Sequence, residues 1–406
     1  MEEFQTIALY AGQDLEKLSK GETEITYFRI NTPEEVRKIL CRASLEDRKK
    51  RSETFFDGLE YRSKLTQAMH DRGEAYVFAN HPWDTKDALG HWNHFPIYVK
   101  MLSVAEKTIK AGDTWDVTLS PAEWQVNERE EMYNIINAGR LTLEKDARII
   151  VRGNVFLFTC QELIKEDESV KSYDIGVLAT PHGFGYRYGC FDGENGGNGG
   201  NGENGKDGLS PLFRTNIRGE KTPVPFGAES INGSDGANGE DGANGEDGLT
   251  GGACRFAEIN IRNIKSAVPV VAGIMAGNGG RGGNGGNGGN GGNGGRGIRE
   301  ISYNTGCPGS PFGNIIGPGK DGRGGYGGNG GRGGRGGHGG ISSNVYITVP
   351  DSCTKLISAY SKPGIPGKGG KGGNPGFGCE NGKHGKDGRE GKIMPAAKVY
   401  INHVIQ

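Results

Sequence analysis

The chain has little of what marks an exported, membrane-bound or catalytic protein. Its first thirty residues, "MEEFQTIALYAGQDLEKLSKGETEITYFRI", begin acidic and hold no apolar core segment, so no secretory signal peptide is expected. No stretch approaches the ~20 apolar residues of a membrane-spanning helix, so no membrane span is expected. On these grounds the chain is expected to be cytoplasmic at synthesis, part of a virion, or secreted by a non-classical route. Its seven cysteines, Cys41, Cys160, Cys190, Cys254, Cys307, Cys353 and Cys379, never form CxxC, which argues against a zinc ribbon or a thioredoxin-type site. Disulfide staples remain open for them, but buried free thiols are favoured without a signal peptide. GxSxG, Walker and HExxH motifs are missing, and a GxGxxG inside a glycine tract lacks the strand-to-helix setting that gives it meaning. No enzyme and no cofactor are expected. A net charge of −1 gives no reason to expect nucleic acid as a partner.

Glycine is what the chain has instead: 75 of 406 residues, concentrated between 191 and 392. Five runs hold a period of three. The first has Gly193, Gly196, Gly199, Gly202, Gly205 and Gly208, and the second runs from Gly233 to Gly251. The third ("GNGGRGGNGGNGGNGGNGGRG", 277–297) and the fourth (319–340) carry two glycine series each. The fifth runs from Gly364 to Gly376 and resumes in phase at Gly382, with Cys379 in the skipped position. A flexible tether has no reason to keep phase, whereas three residues per turn is the repeat of polyproline II. A glycine edge on such a helix lets another backbone approach closely. Collagen is disfavoured, because only 17 prolines are present and runs two and three contain none. Runs three and four, with two bare edges, are expected inside a polyglycine II bundle, and runs one and two at its periphery. The remaining Asn, Arg, Asp and Lys side chains are expected to face solvent.

Between the runs lie short alternating stretches: "PLFRTNIRG", "CRFAEINIRNI", "IREISYN", "ISSNVYITV" and "AKVYINHVI". Their centres near Ile217, Ile259, Ile301 and Ile347 recur about every 43 residues, a spacing that suggests stacked units. In "NVYITV", Val345, Ile347 and Val349 share one face, as in a half-buried strand. Residues 140–164 read as an earlier rung of the same stack. The expected fold class is mainly β. A C-terminal bundle of about five polyglycine II helices stacks with short β-strands in a solenoid-like repeat of ~43 residues, preceded by a small α+β N-terminal domain. The expected divisions are 1–125, an N-terminal α+β domain; 126–190, β-rungs leading into the repeat; and 191–406, the glycine-rich domain.

Residues 33–71 carry a helical pattern opened by "NTPEE", with a capping Thr and a first-turn Pro. The loop that follows gathers His81, Asp84, Asp87, His91 and His94. Of these His81, His91 and His94 are the metal candidates, but the spacing fits no standard motif and a docking loop is the preferred reading. Charge separates within the glycine-rich half, with acids prevailing over 191–252 and bases over 276–392. Complementary pairing between runs accounts for this; the alternative is a basic face, with Tyr326 and His338, that meets an anionic glycan or phosphate surface.

The "GGNGGNGG" and "GGRGGRGG" runs with variable segments between them resemble two kinds of polyglycine II protein. These are the receptor-binding tip adhesins of phage long tail fibres and the glycine-rich antifreeze proteins of springtails. The N-terminal half looks more like uncharacterised glycine-rich bacterial proteins. The adhesin resemblance implies binding through loops between runs, here 221–230, 263–269, 304–314 and 350–356. Phe226, Phe312, Asn314 and Asp351 in these loops, and Tyr326 on run four, become the candidate ligand-binding residues. The implied function is a non-catalytic, rigid scaffold recognising a surface glycan or protein receptor, attached to a larger assembly through its N-terminal part. The alternatives are a structural or ice-binding protein using the flat glycine face, and an effector or toxin component delivered by a secretion apparatus.

Overall fold

A computed structural model describes residues 2–32, 43–55, 96–120, 132–169, 172–180, 192–303 and 314–406, with 35–36, 40, 78 and 123 between them. The expected mainly-β class is what forms. Stretches such as "VFLFTC" are β-branched and aromatic with no polar alternation, the composition of a strand covered on both faces. Among the described residues, such stretches build two mainly parallel sheets. The larger sets side by side β1 (Thr23–Ile30), β2 (Ile97–Ile109), β4 (Met132–Leu143), β6 (Val155–Lys165), β10 (Ala257–Ile261), β15 (Val345–Thr348), β17 (Val399–Ile401) and β18 (Val404–Ile405). A short strand, β11 (Ile264–Ser266), continues β10 along β6. The smaller sheet runs β16 (Ile357–Lys362), β12 (Val270–Met275), β7 (Ile175–Leu178), β5 (Arg148–Arg152) and β3 (Thr114–Asp116).

The chain steps back and forth between the two sheets, and their facing sides make the main core. Ile136, Leu141, Phe156, Phe158, Ile259 and Ile347 of the larger sheet meet Ile149, Val151, Ile175, Val177, Ala272 and Ile274 of the smaller one. Burying a side chain of this size contributes about 1.5–3 kcal/mol. At one crossover the Lys165 ammonium and Asp174 carboxylate, both without exposed surface, pair at 2.9 Å. Asp174 also accepts the Val271 N–H at 2.8 Å, and Lys165 donates to the Pro269 carbonyl at 3.2 Å. The pair therefore ties the β6–β7 corner to β12.

The outer face of the larger sheet is covered as well. Helix α1 (Glu2–Tyr10) sets Ile7 against the cluster of Tyr133, Val155, Phe256 and Tyr346. A short helix, α2 (Leu15–Ser19), precedes β1. Further on, α3 (Leu45–Phe55) starts at Ser44, whose hydroxyl accepts the Asp47 N–H while Asp47 reaches back to the Ser44 N–H. The helical pattern expected to run on from residue 33 is therefore interrupted at 43–44, although Thr32 does accept the Glu35 N–H as a cap should. Arg51 of α3 is 4 % exposed, sits 3.0 Å from the buried Glu258 carboxylate, and stacks 4.3 Å from the centre of the Tyr346 ring. This corrects the half-buried reading of "NVYITV": Val345, Ile347 and Val349 are buried on one face and Tyr346 on the other.

Six glycine-rich limbs leave these sheets among the described residues: 192–208, 233–251, 277–297, 319–340, 364–377 and 382–392. Limb 1 hydrogen-bonds to limb 3 in parallel, Gly193 N–H to Arg281 O through Gly208 N–H to Arg296 O. It also bonds to limb 2 in antiparallel fashion, Ala237 N–H to Glu203 O and Ala243 N–H to Gly197 O. The same two relations continue through the set. Limbs 1, 3 and 5 form one parallel layer, limbs 2, 4 and 6 a second, and antiparallel bonds join the layers. Limb 3 is bonded to limbs 1, 2, 4 and 5, and limb 4 to limbs 2, 3, 5 and 6. The double-glycine runs are thus the enclosed ones.

Two expectations need correction. The fifth run is two limbs: the chain reverses around Cys379, and Gly382, Gly385, Gly388 and Gly391 bond back onto Gly376, Gly373, Gly370 and Gly367. Nor is there a 43-residue solenoid with all strands in one sheet. Limb 1 leads out of the sheets and limb 2 leads back, so the segment between them lies at the far end. It forms a separate hairpin, β8 (Phe213–Thr215) with β9 (Lys221–Pro223). Limbs 3 and 4 do the same around β13 (Ile301–Tyr303) and β14 (Asn314–Ile316). Ile217 and Ile301 therefore lie at the opposite end from Ile259 and Ile347. The repeat is a full excursion: bonded partners are 89, 88 and 87 residues apart between limbs 1 and 3, 2 and 4, and 3 and 5. β10 and β15 share the offset of 88, and the shorter last excursion sets limbs 4 and 6 only 54 apart.

Candidate binding site

Each enclosed glycine stands where a side chain has no room. A Cβ on Gly286 would lie 1.9 Å from the Gly197 carbonyl oxygen, and one on Gly331 1.9 Å from that of Ala243. Where a limb has no neighbour on one side the need disappears: Gly197 has nothing within 4 Å of its would-be Cβ.

In limbs 3 and 4 backbone amides of the third phase have no carbonyl opposite them, and side chains of the preceding limb of the same layer supply the acceptor. In one layer the Oδ1 atoms of Asp192, Asn195, Asn198, Asn201, Asn204 and Asp207 accept the N–H groups of Arg281, Asn284, Asn287, Asn290, Asn293 and Arg296 at 2.6–2.8 Å. Asn284, Asn287 and Asn290 in turn accept from Lys371, Asn374 and Phe377 of limb 5. The other layer repeats this from Asn232 to Asp247 against limb 4. The expectation that Asn and Asp only face solvent is corrected: they are exposed, yet each completes its neighbour's backbone. The rule also bears on composition. The first limb of each layer carries Asn or Asp at this phase throughout, whereas the last limbs, with no limb beyond them, carry mostly Lys, Arg, Ile and Phe there, Asn374 and Glu380 being the exceptions.

The limbs thus hold two hairpins at their far end. The hairpins touch through Phe213 and Tyr303, whose ring centres are 5.2 Å apart. The cis peptide Gly317–Pro318 leads the chain from β14 into limb 4. Around the hairpins, Leu209, Leu212, Ile217, Phe226 and Ile315 are exposed, Ile217 completely. The turn of Asn216 to Glu220 is fixed by Asn216 Oδ1, which accepts the N–H groups of Arg218 and Glu220 at 2.9 and 3.0 Å.

The candidate residues do not converge on one place. Phe226 and Asn314 lie at the far end, Asn314 opening β14. Asp351 begins a 3-10 turn, Asp351–Leu356, beside the sheets at the opposite end. The loop 263–269 also lies there, holding β11. Tyr326 is half exposed on the flank of limb 4. Phe312 falls outside the described residues, as do His81, His91 and His94. Among the described residues no cluster of His, Cys, Asp and Glu could hold a metal ion, and no helix is long and apolar enough to cross a membrane. Cys160 and Cys353 are buried free thiols, Cys160 with its pKa pushed up by burial to about 12, Cys254 is buried with its Sγ on the Val177 carbonyl, and Cys379 is an exposed free thiol at the limb reversal.

Sequence reasoning missed Leu209, Leu212, Ile217 and Ile315 as a group. The available signal was their position beside the far ends of glycine runs, Leu209, Leu212 and Ile217 after run one and Ile315 before run four. Comparison of the chain with known protein families, curated proteins and solved structures finds no match.

Proposed function

We propose that the chain is a non-catalytic binding protein in which six polyglycine II helices hold a two-hairpin tip away from a β base. The helix assignment is supported by bonding that recurs every third residue and reaches neighbours on several sides, where a strand would bond only two. Limbs 3 and 4 run for about 20 residues, so a rise of about 3.1 Å per residue sets the tip roughly 60 Å from the sheets. The observation that carries the functional reading is the exposed apolar group at this tip, Leu209, Leu212, Ile217, Phe226 and Ile315, on a support with no room for rearrangement. Exposed apolar side chains grouped on a rigid support favour a recognition surface. The partner is a surface glycan or protein receptor, and the base, with its helices and sheet edge, is the part that joins a larger assembly.

The test uses the full chain on glycan and cell-surface protein arrays, comparing wild type with Ile217→Asp, Phe226→Ser and Asp351→Ala. The tip changes abolish array binding with melting unchanged, while Asp351→Ala leaves it intact. Binding that survives both tip changes refutes the assignment.

A further inference from the structure

The flank of limbs 4 and 6 carries a second surface, independent of the tip. Hydrogen bonds fix its register. Gly333 N–H bonds to Lys386 O, Gly336 N–H to Arg389 O, and Gly339 N–H to Lys392 O. Arg332 and Lys386, Arg335 and Arg389, and His338 and Lys392 therefore stand in three successive rungs, two side chains per rung. Rungs are three residues apart, roughly 9 Å at a rise of about 3.1 Å per residue. Lys383 extends the row by one rung beside Asn329. His338 Nδ1 accepts the Lys392 N–H at 2.8 Å, leaving Nε2 as the ring's remaining polar atom.

All these Lys and Arg side chains are exposed, and among the described residues none has a carboxylate within ion-pair distance. Neighbouring acids offset the row only in part. Asp247 accepts the Arg335 N–H from limb 2, and Asp387 is turned away to accept the Gly372 N–H of limb 5. Glu390 occupies the phase next to Arg389, and Asp241 and Glu380 lie at the Lys383 end. Six Lys and Arg side chains, Arg332, Arg335, Lys383, Lys386, Arg389 and Lys392, outnumber these acids, so the flank stays net positive and favours an anion.

The geometry points to a binding face for a linear polysaccharide that carries a carboxylate or sulfate on its repeating unit. The hydrogen-bond register spaces the cations evenly, one rung every three residues, which suits an extended chain with a regular charge repeat. A nucleic-acid duplex curves away from a flat row and carries a charge every ~1.7 Å of axis, far denser than the rungs. Single-stranded nucleic acid is held by aromatic stacking between the cations, and these rungs hold no Phe, Tyr or Trp, only the His338 imidazole at one end. Tyr326, two rungs beyond Arg332 on the same limb, is half exposed and offers a ring face to a sugar at the end of the row.

Binding of short and long oligogalacturonates to the full chain tests this by calorimetry across a salt series, with neutral dextran and a DNA duplex as comparators. The long oligomer binds more tightly than the short one, dextran does not bind, and affinity falls with salt. Lys386→Glu with Arg389→Glu weakens binding about tenfold or more, and Lys386→Gln with Arg389→Gln weakens it less, each with unchanged melting. Lys368→Glu with Lys371→Glu, on the opposite layer, changes it little, and so does Ile217→Asp at the tip. No saturable oligogalacturonate binding, insensitivity to both row variants, or duplex DNA bound as tightly as the long oligomer overturns the proposal.

Discussion

Glycine in the third limb is required by its neighbours, and one pair of substitutions separates this from a general intolerance of alanine. In Gly286→Ala the new Cβ falls 1.9 Å from the Gly197 oxygen, 2.5 Å from its carbonyl carbon and 2.9 Å from the Gly196 oxygen. Ordinary C···O contacts are about 3.3–3.6 Å, so limb 1 must retreat by about 1.5 Å at this level. Four bonds joining the two limbs there span only 2.7–2.8 Å: Gly196 N–H to Asn284 O, Gly199 N–H to Asn287 O, and the Asn284 and Asn287 N–H groups to Asn195 and Asn198. A shift of that size breaks them. At about 1 kcal/mol each, offset by up to ~1 kcal/mol that alanine gains by restricting the unfolded chain, the net cost is about 3 kcal/mol. Gly197→Ala meets nothing within 4 Å and is expected to be neutral or slightly stabilising. Urea denaturation followed by circular dichroism measures both. Equal shifts in the two variants, or a Gly286→Ala protein as stable as wild type, would refute the packing argument.

The side-chain ladder makes a second distinction: Asn287→Asp keeps the acceptor for the Asn374 N–H and is expected within ~0.5 kcal/mol of wild type, whereas Asn287→Leu loses about 1 kcal/mol. Faster amide exchange at Asn374 in the leucine variant alone locates the effect. At the base, Arg51→Ala strands the buried Glu258 carboxylate and is expected to destabilise by about 3–5 kcal/mol, while Arg51→Met with Glu258→Leu restores most of the loss. A double-mutant cycle on urea midpoints decides this; additive losses would mean the pair is not coupled.

The glycine period was legible because a Cβ is excluded wherever another backbone lies within about 2 Å, and the doubled series in runs three and four marked the enclosed limbs for the same reason. Direction was not legible. Parallel and antiparallel neighbours both need a bare edge, so the period cannot tell an outgoing limb from a returning one. "IREISYN" and "ISSNVYITV" alternate alike, and short alternation says nothing about partners; one became a far hairpin and the other a core strand. The pause at Cys379 reads as a skipped glycine because both arms keep one phase through the reversal. Asn and Asp were read as solvent-facing because their role appears only once a parallel neighbour places an amide at the same level. The cover over Tyr346 comes from Arg51, nearly 300 residues earlier, and no local pattern announces it. Of the candidate residues, Phe226 and Asn314 fall at the far end and Asp351 beside the sheets, a separation that only the excursion path makes.

The out-and-back route of the limbs has a mechanical consequence. A pull on the hairpin tip, resisted at the sheets, acts along the limbs and therefore along the rows of bonds that join them. Every bond in a row is loaded in shear at once, and none sits at a free end where it could be peeled first. Each limb's neighbours are the chain's own adjacent excursions, so tension drawn into one limb spreads sideways into the next. The tip is thus fastened by the combined strength of the rows, and force reaches the base without lengthening the chain between them.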